Sequence, residues 1–171
     1  IKKHLESLPY KSIKIIYGRI FLTDIDLNLW DKYNSVLRCV IGIRNFILTK
    51  CIKLDINDMK EEALAAIVSS GTKGSFRVTS RRQNKNFQYT KQDINTLVGG
   101  YIQQETGYDV SLNYPDITVY IEVINKNAYV GVTKTDAFGG LPVGTGESAL
   151  SLISSGIDSP VASFNIIKRG V

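Results

Sequence analysis

The residues best suited to chemistry form a short polar segment near the end of the chain, Ser154-Ser155-Gly156-Ile157-Asp158-Ser159. The apolar run before it predicts a strand, and Pro160 after it is a favoured first residue of a helix. A turn between a strand and a helix directs backbone N–H groups at one point, where an anion is favoured. The hydroxyls of Ser154 and Ser159 add donors, and Asp158 is suited to ordering the loop or a magnesium ion. The segment therefore predicts either a phosphate-binding turn or an ordinary strand-to-helix connection.

A second candidate site is a run of basic residues without acidic neighbours. The net charge is only +5, but no acidic residue occurs from Ala63 to Gln92. This local surplus predicts contact with nucleic-acid phosphates, and the alternative is a solvated charged face. Phe87 and Tyr89 lie in the same run and are suited equally to stacking on unpaired bases and to packing in a core. The predicted RNA contacts are Lys73, Arg77, Arg81, Arg82 and Lys85, with Lys91 at the margin.

Hydrophobic periodicity predicts a small α+β domain over residues 1–56, ahead of the basic run. Residues 10–22 are rich in β-branched and aromatic side chains and predict one strand. Residues 27–38 carry apolar side chains at helical spacing behind a capping aspartate, and residues 39–54 predict one or two strands.

Residues 57–136 predict a second α+β domain that carries the basic run, in the order αβαβββ. Its first helix is capped by Asn57 or Asp58 and ends at Gly71. A strand at 75–80 and a second helix that reaches Thr106 follow. The three remaining strands are predicted at 110–112, 117–124 and 128–132.

The rest of the chain predicts a linker and the start of a further domain. Residues 138–146, FGGLPVGTG, hold four glycines and a proline, so a linker is predicted over 137–147. Residues 148–171 supply one strand, at 149–153, and one helix. These two elements cannot bury a parallel-sheet core. We therefore expect their apolar side chains to pack against another surface, and a homodimer is one such outcome.

Cysteine spacing and hydropathy exclude other classes of protein. Cys39 and Cys51 form no CxxC pair and His4 is the single histidine, so no metal site is predicted. Two reduced, buried thiols in a cytoplasmic protein are expected instead. No apolar run is long enough to cross a bilayer, so no membrane partner is predicted.

The segment LSLISSGIDSPVASFNIIKRGV, which contains the first candidate site, resembles the PP-loop of the ATP pyrophosphatases. That family has the pattern Ser-Gly-Gly-x-Asp-Ser, and Ser155 stands in place of its first glycine. Because glycine alone tolerates a positive φ easily, serine fits there only if its φ stays negative. The resemblance implies ATP binding, with Mg²⁺ in the full-length enzyme. The implied ATP contacts are Leu152, Ile153, Ser154, Ser155, Gly156, Asp158 and Ser159.

Residues 75–133 resemble a THUMP domain, an RNA-binding module of tRNA-modifying enzymes. The matching features are Phe76-Arg77-Val78, Arg81-Arg82, Val110-Ser111-Leu112, Pro115-Asp116 and Glu122-Val123. Upstream, YGRI at 17–20 and VIGI at 40–43 resemble the small ferredoxin-like domain that precedes this module in tRNA sulfurtransferases. GGLPVG at 139–144 resembles their bridge into the PP-loop domain. The order of these segments makes the whole chain resemble that family.

This resemblance implies the RNA-binding part of an enzyme that makes 4-thiouridine in tRNA and supplies sulfur for thiamine. ATP would adenylate a uridine carbonyl oxygen, and sulfur would arrive from the persulfide of a cysteine desulfurase. The family's sulfur-handling cysteines match neither Cys39 nor Cys51, so no catalytic residue is predicted here. Two alternatives are a stand-alone, non-catalytic THUMP-type RNA-binding protein and a different PP-loop synthetase, which the THUMP-like segment disfavours.

Overall fold

A computed structural model describes all residues from Ile1 to Val171. Contacts divide the chain into two compact units, which we call the first unit (residues 1–46 and 135–171) and the second unit (residues 47–134). The strands are β1 (Ser12–Ile16), β2 (Arg19–Thr23), β3 (Asn45–Ile47), β4 (Lys50–Lys53), β5 (Phe76–Arg82), β6 (Ile117–Ile124), β7 (Asn127–Gly131) and β8 (Lys134–Asp136). The helices are α1 (Trp30–Arg38), α2 (Ile56–Ser70), α3 (Lys91–Thr106) and α4 (Asp158–Ile167). The predicted α+β class is confirmed.

The first unit begins with a β-hairpin where one long strand was predicted. β1 and β2 pair antiparallel, and the turn between them is Tyr17-Gly18. Both turn residues have positive φ, at 48° and 70°, which suits the tight two-residue turns that match strand twist. The prediction of one strand over 10–22 is therefore wrong, because a single glycine behind a tyrosine is a weak turn signal.

The helix α1 and the N-terminal 3₁₀ turn enclose a small core in the first unit. Leu5 and Tyr33 are fully buried there, and Leu8 and Leu37 are nearly so. Asp26 caps a 3₁₀ turn that leads into α1 by accepting a hydrogen bond from the Asn28 N–H. The predicted helix at 27–38 is thus present, but its first three residues, Leu27–Leu29, form a 3₁₀ turn.

The second unit is a four-stranded sheet in the order β4-β7-β6-β5 with two helices on one face. β5 and β6 are parallel, and the other neighbours are antiparallel. Alternate strand residues such as Phe76, Val119 and Ile121 are fully buried beside Ile94 and Ile102 of α3. The opposite face of the sheet, which we call the helix-free face, carries the intervening residues.

The helices of the second unit begin and end at the signals expected for helix termini, with one shift. Asp55, and not Asn57 or Asp58, caps α2, because its carboxylate accepts hydrogen bonds from both of their N–H groups. Thr90 and Asp93 form a reciprocal capping box at the start of α3. Gly71 ends α2 and Gly107 ends α3 in left-handed conformations, as predicted.

The end of the chain differs from the prediction in one element. Residues 149–153 form no strand, and Leu150 and Leu152 are 90% and 84% exposed. A strand of this kind needs neighbours for its backbone hydrogen bonds, and no strand lies beside it. α4 is present but begins at Asp158, which places Pro160 in its first turn, where its missing N–H is tolerated.

The two cysteines are free, as predicted, but both are exposed. Cys39 follows the end of α1, and Cys51 lies on the edge strand β4. The expectation of buried thiols is therefore wrong, because it came from the average preference of the residue type and not from a pattern.

Candidate functional site

The edge strand β5 carries the centre of the basic run. Phe76, Val78 and Ser80 face the helices and are buried, so the alternate residues Arg77 and Arg81 project from the helix-free face. Arg81 is exposed and makes no hydrogen bond or ion pair within the chain. Its guanidinium is therefore available to an anionic partner.

Arg77 is held in place by the neighbouring strand. Its Nε donates to Thr118 Oγ1 at 3.2 Å, and its Nη1 donates to the Leu112 carbonyl at 3.1 Å. These bonds fix the direction of the guanidinium across the parallel β5–β6 pair. Arg77 therefore meets a ligand as a pre-positioned group, with less side-chain entropy to lose than a free arginine.

Arg82 has the opposite orientation from Arg81. Its Nη1 donates to the carbonyl oxygens of Phe87 and Tyr89, each at 2.8 Å. The two aromatic rings meet edge to face at 5.5 Å and pack against the core, so the packing role is the one that the structure supports. Arg82 therefore organises the loop 83–90, and its predicted contact with RNA stays a prediction.

Lys73 lies in the loop before β5, and a carboxylate holds that loop. Asp116 Oδ2 accepts hydrogen bonds from the N–H and the hydroxyl of Ser75, both at 2.8 Å. Gly74 has a φ of 140°, and a Cβ there would lie 2.5 Å from the same carboxylate oxygen. Glycine is therefore required for this close approach. The hydrogen bonds from Ser75 lower the pKa of Asp116.

We expect Asp116→Asn to change how the free energy of unfolding depends on pH below neutrality. A carboxyl with a lowered pKa in the folded state stabilises the fold above its unfolded pKa of about 3.9, and this contribution is lost as the pH falls through the folded value. Urea unfolding from pH 7 to pH 2.5 should show the largest difference between parent and variant at neutral pH. A difference that stays constant over this range would contradict the prediction.

The structure adds three lysines that the linear run did not contain. Lys53 ends β4, Lys126 lies in the turn between β6 and β7, and Lys134 begins β8. All three are exposed, and the Lys134 ammonium lies 4.8 Å from the ring centre of Tyr120. Their positions follow from strand register, which no local pattern records. The gap between the strands predicted at 117–124 and 128–132 was the one available signal, and it concerns Lys126 alone.

The second candidate site, the turn at 154–159, is shaped by its serines. Ser154 N–H donates to Ser159 Oγ at 2.9 Å, and the two hydroxyls lie 3.1 Å apart. Ser154 Oγ also accepts from the Gly156 N–H at 3.3 Å. Neither Ser155 nor Gly156 has a positive φ, so serine in place of glycine imposes no backbone strain in this conformation.

The turn ends at a helix N-terminus without a side-chain cap. α4 has Ile157 as its N-cap, so its first N–H groups have no side-chain acceptor there. Leu152 and Ile153, two of the predicted nucleotide contacts, are exposed just before the turn. The turn is therefore open to an anion on its solvent side.

The glycine-rich segment predicted as a linker is bonded to the end of α4. Leu141 N–H donates to the Lys168 carbonyl at 2.9 Å, and the N–H groups of Gly144 and Gly146 donate to the Gly170 carbonyl. Phe138 packs edge to face on Phe164 at 5.1 Å. Within the first unit, these contacts hold α4 by its C-terminal end and leave its N-terminal turn exposed.

Two further features bear on what the chain can bind. No three His, Cys, Asp or Glu side chains come together in a group that could hold a metal ion. No helix combines the length and the apolar character that crossing a lipid bilayer requires.

Two family models match the chain, and each of them covers one of the two candidate sites. Residues 53–133 match the family described as "THUMP domain", and residues 144–171 match "Thiamine biosynthesis protein (ThiI)". The first match covers the sheet that carries the basic residues. The second covers the serine turn and α4.

Curated proteins and solved structures are similar to this chain over most or all of its length. The "Probable tRNA sulfurtransferase" of Geobacillus thermodenitrificans is 35% identical over all of this chain and 43% of its own length. PH1313 from Pyrococcus horikoshii is 30% identical with a TM-score of 0.89, over 99% of this chain and 56% of that one. A 4-thiouridine synthetase crystallised with RNA and ATP is also 30% identical, with a TM-score of 0.77 over 99% of this chain and 43% of that one.

The chain spans less than half the length of its curated relatives, between 34% and 49% in the examples from Levilactobacillus brevis and Methanocaldococcus jannaschii. The matches nevertheless extend across both units and agree in name. The chain therefore contains a THUMP domain, and along its whole length it is similar to part of the tRNA sulfurtransferases.

Proposed function

We propose that this chain is the tRNA-binding portion of an ATP-dependent tRNA uridine thiolation enzyme. The observation that carries the proposal is the exposed, unpaired Arg81 on β5, with Lys85 exposed in the adjoining loop and Arg77 pre-positioned near the start of the same strand. Arginine and lysine groups on a rigid sheet edge contact phosphates and so position an RNA without reading its sequence. The RNA complex of the related 4-thiouridine synthetase supports this assignment.

The serine turn supports an ATP-binding role in the same enzyme. Its hydroxyls and the uncapped N-terminus of α4 provide donors for phosphate oxygens, and the related synthetase was crystallised with ATP. Asp158 is the carboxylate in the first turn of α4. One carboxylate with phosphate oxygens and waters is a usual set of ligands for Mg²⁺ in proteins, so Asp158 fits that ion.

The remaining partners follow from the same proposal. A cysteine desulfurase would supply sulfur to the full-length enzyme, and two free thiols suit the reducing cytoplasm. The exposed apolar residues of 150–167 are suited to self-association as a homodimer. The alternative function, RNA binding without catalysis, would use the same sheet but would not need the serine turn.

The double variant Arg81→Ala/Lys85→Ala tests the RNA contact. On a duplex, the salt dependence of binding should fall by about 0.9 for each phosphate that the protein no longer neutralises, so the slope should fall by about 1.8. Filter binding of tRNA at several salt concentrations measures the slope and the affinity together. Arg82 is left intact because its removal would disturb the loop.

Lys2→Ala/Lys3→Ala is the matched control, since it removes the same charge from exposed lysines in the first unit. Its affinity and slope should stay close to those of the parent. If the Arg81/Lys85 variant behaved like this control, β5 would be a solvated charged face and the proposal would be wrong.

A further inference from the structure

Three lysines from distant parts of the chain meet at one end of the sheet in the second unit. Asn84 Nδ2 donates to the Asn125 carbonyl at 2.7 Å, which ties the loop holding Lys85 to the turn holding Lys126. The Leu54 N–H donates to the Lys126 carbonyl at 3.2 Å, which brings the end of β4 to the same turn. Lys53, Lys85 and Lys126 thus form a group that we call the turn-end cluster.

The turn-end cluster keeps its charge unpaired. All three lysines are exposed, and none makes an ion pair within the chain. Two carboxylates that follow these segments in the chain have other partners, since Asp55 caps α2 and Asp93 is bonded in the capping box of α3. The cluster therefore holds three positive charges, none of which is in an ion pair.

The loop part of the cluster is rigid, although it has no regular structure. Arg82 bonds two carbonyls of the loop, Asn84 bonds the adjacent turn, and Asn86 N–H donates to Asn84 Oδ1 at 2.9 Å. A cluster held in this way presents its charges at fixed spacing. Such spacing suits a regular row of phosphates better than a diffuse counter-ion cloud.

A second basic group lies at the opposite end of the same sheet. Lys73 precedes β5, Arg77 is near its start, and Lys134 follows the end of β7, so we call these three the loop-end cluster. β6, whose Ile117 pairs with the first residue of β5, runs between the two ends over eight residues. At about 3.3 Å per residue the two clusters are roughly 23 Å apart.

We propose that the turn-end cluster is a second phosphate-contact site and that one RNA strand contacts both clusters at once. At about 3.4 Å per phosphate along a stacked strand, their separation corresponds to roughly seven nucleotides. The inference rests on the proposed function and adds to it the residues Lys53 and Lys126 and a minimum length of RNA. Neither lysine belongs to the basic run of the sequence.

The test compares three variants on short single-stranded RNAs of about 12 and about 4 nucleotides. They are Lys53→Ala/Lys126→Ala, Lys73→Ala/Lys134→Ala, and the combination of all four changes. On the longer RNA each pair should lower the salt slope by about 1.4, and the combination by about 2.8. The shorter RNA can reach only one cluster at a time. On it, the combined variant should therefore lose less salt slope than the sum of the losses of the two pairs.

Controls separate a folding defect from a binding defect. Thermal unfolding should be close to parental, because all four lysines are exposed and only Lys134 has a contact, over the Tyr120 ring. Lys53→Arg/Lys126→Arg should keep the parental slope, since it keeps both charges. The variant Arg81→Ala, which leaves both clusters intact, is measured in parallel.

Each result has a defined meaning. A Lys53/Lys126 variant with the parental slope, beside an Arg81→Ala variant with a reduced slope, would overturn the second site and leave the proposed function standing. On the longer RNA, the combined variant could lose no more salt slope than one pair alone. That result would mean that the RNA contacts one cluster or the other, and it would overturn the one-strand proposal. An unchanged slope in every variant would refute the proposed function itself.

Discussion

Replacing Phe76 with alanine should lower the free energy of unfolding of the second unit by about 3 to 5 kcal/mol. The ring is fully buried in the main hydrophobic core, so its removal leaves a cavity and takes away apolar packing. A small domain is stable by only about 5 to 15 kcal/mol, so a large share of the margin would disappear. RNA affinity should fall in proportion to the unfolded fraction, with an unchanged salt slope.

Hydrogen exchange at the amides of β6 is the suitable measurement. The single tryptophan, Trp30, lies in the first unit, so its fluorescence reports on the other part of the chain. Val68→Ala is the control, because Val68 is 66% exposed on α2 and its truncation should change stability by about 0.5 kcal/mol or less. A Phe76 variant as stable as this control would contradict the packing described for the second unit.

The second large effect is expected from Arg82→Ala, at about 1.5 to 3 kcal/mol of stability. The change leaves the carbonyls of Phe87 and Tyr89 without their donor and frees the loop 83–90. Urea unfolding followed by circular dichroism gives the stability. Arg82→Lys should restore only part of the stability, because both bonds come from Nη1 of a planar group, and an ammonium on a flexible stem is more strongly hydrated and less pre-organised.

Arg81→Ala is the matched control, since it removes the same side chain one residue earlier. Arg81 has no partner in the chain, so its removal should leave stability nearly unchanged and lower the salt slope of RNA binding. Arg82→Ala should show the reverse, with lower stability at a similar slope. Equal effects of the two changes on stability would mean that Arg82 does not hold the loop.

Much of the fold was predictable where local patterns are long and bounded by strong signals. A helix that reaches Thr106 and stops at Gly107 was predicted, and α3 ends there, with Thr90 as the cap at its start. The hairpin at 117–132 has two alternating strands around a polar turn, and β6 and β7 reproduce it. In each case the period and the boundary residues indicate the same element.

Two of the errors occurred where the surrounding structure decides the outcome. The strand predicted at 149–153 has the right composition but no neighbour to pair with. The cap of α2 moved to Asp55 because Ile56 is needed in the core, which sets the start of the helix. Neither fact is visible in a short window of sequence.

The candidate site was predicted in part for the same reason. The acid-free run led to Arg77, Arg81 and Lys85, but not to Lys53 or Lys126, whose proximity depends on the pairing of β4 with β7. The run also could not show that neighbouring arginines take opposite orientations. Their different roles follow from the alternation of a strand at the point where it meets a loop.

The discontinuous first unit has a consequence for the order of folding during synthesis. Its two segments are separated by the entire second unit, so the contacts of its first 46 residues with residues 135–171 cannot form until the second segment is made. Translation of the roughly 90 intervening residues takes about 5 to 18 s at ordinary rates. During that time the N–H of Gly42, which later donates to the Gly139 carbonyl, has no acceptor from that segment. The second unit, which is continuous, can therefore complete its sheet on the ribosome before the unit that begins the chain.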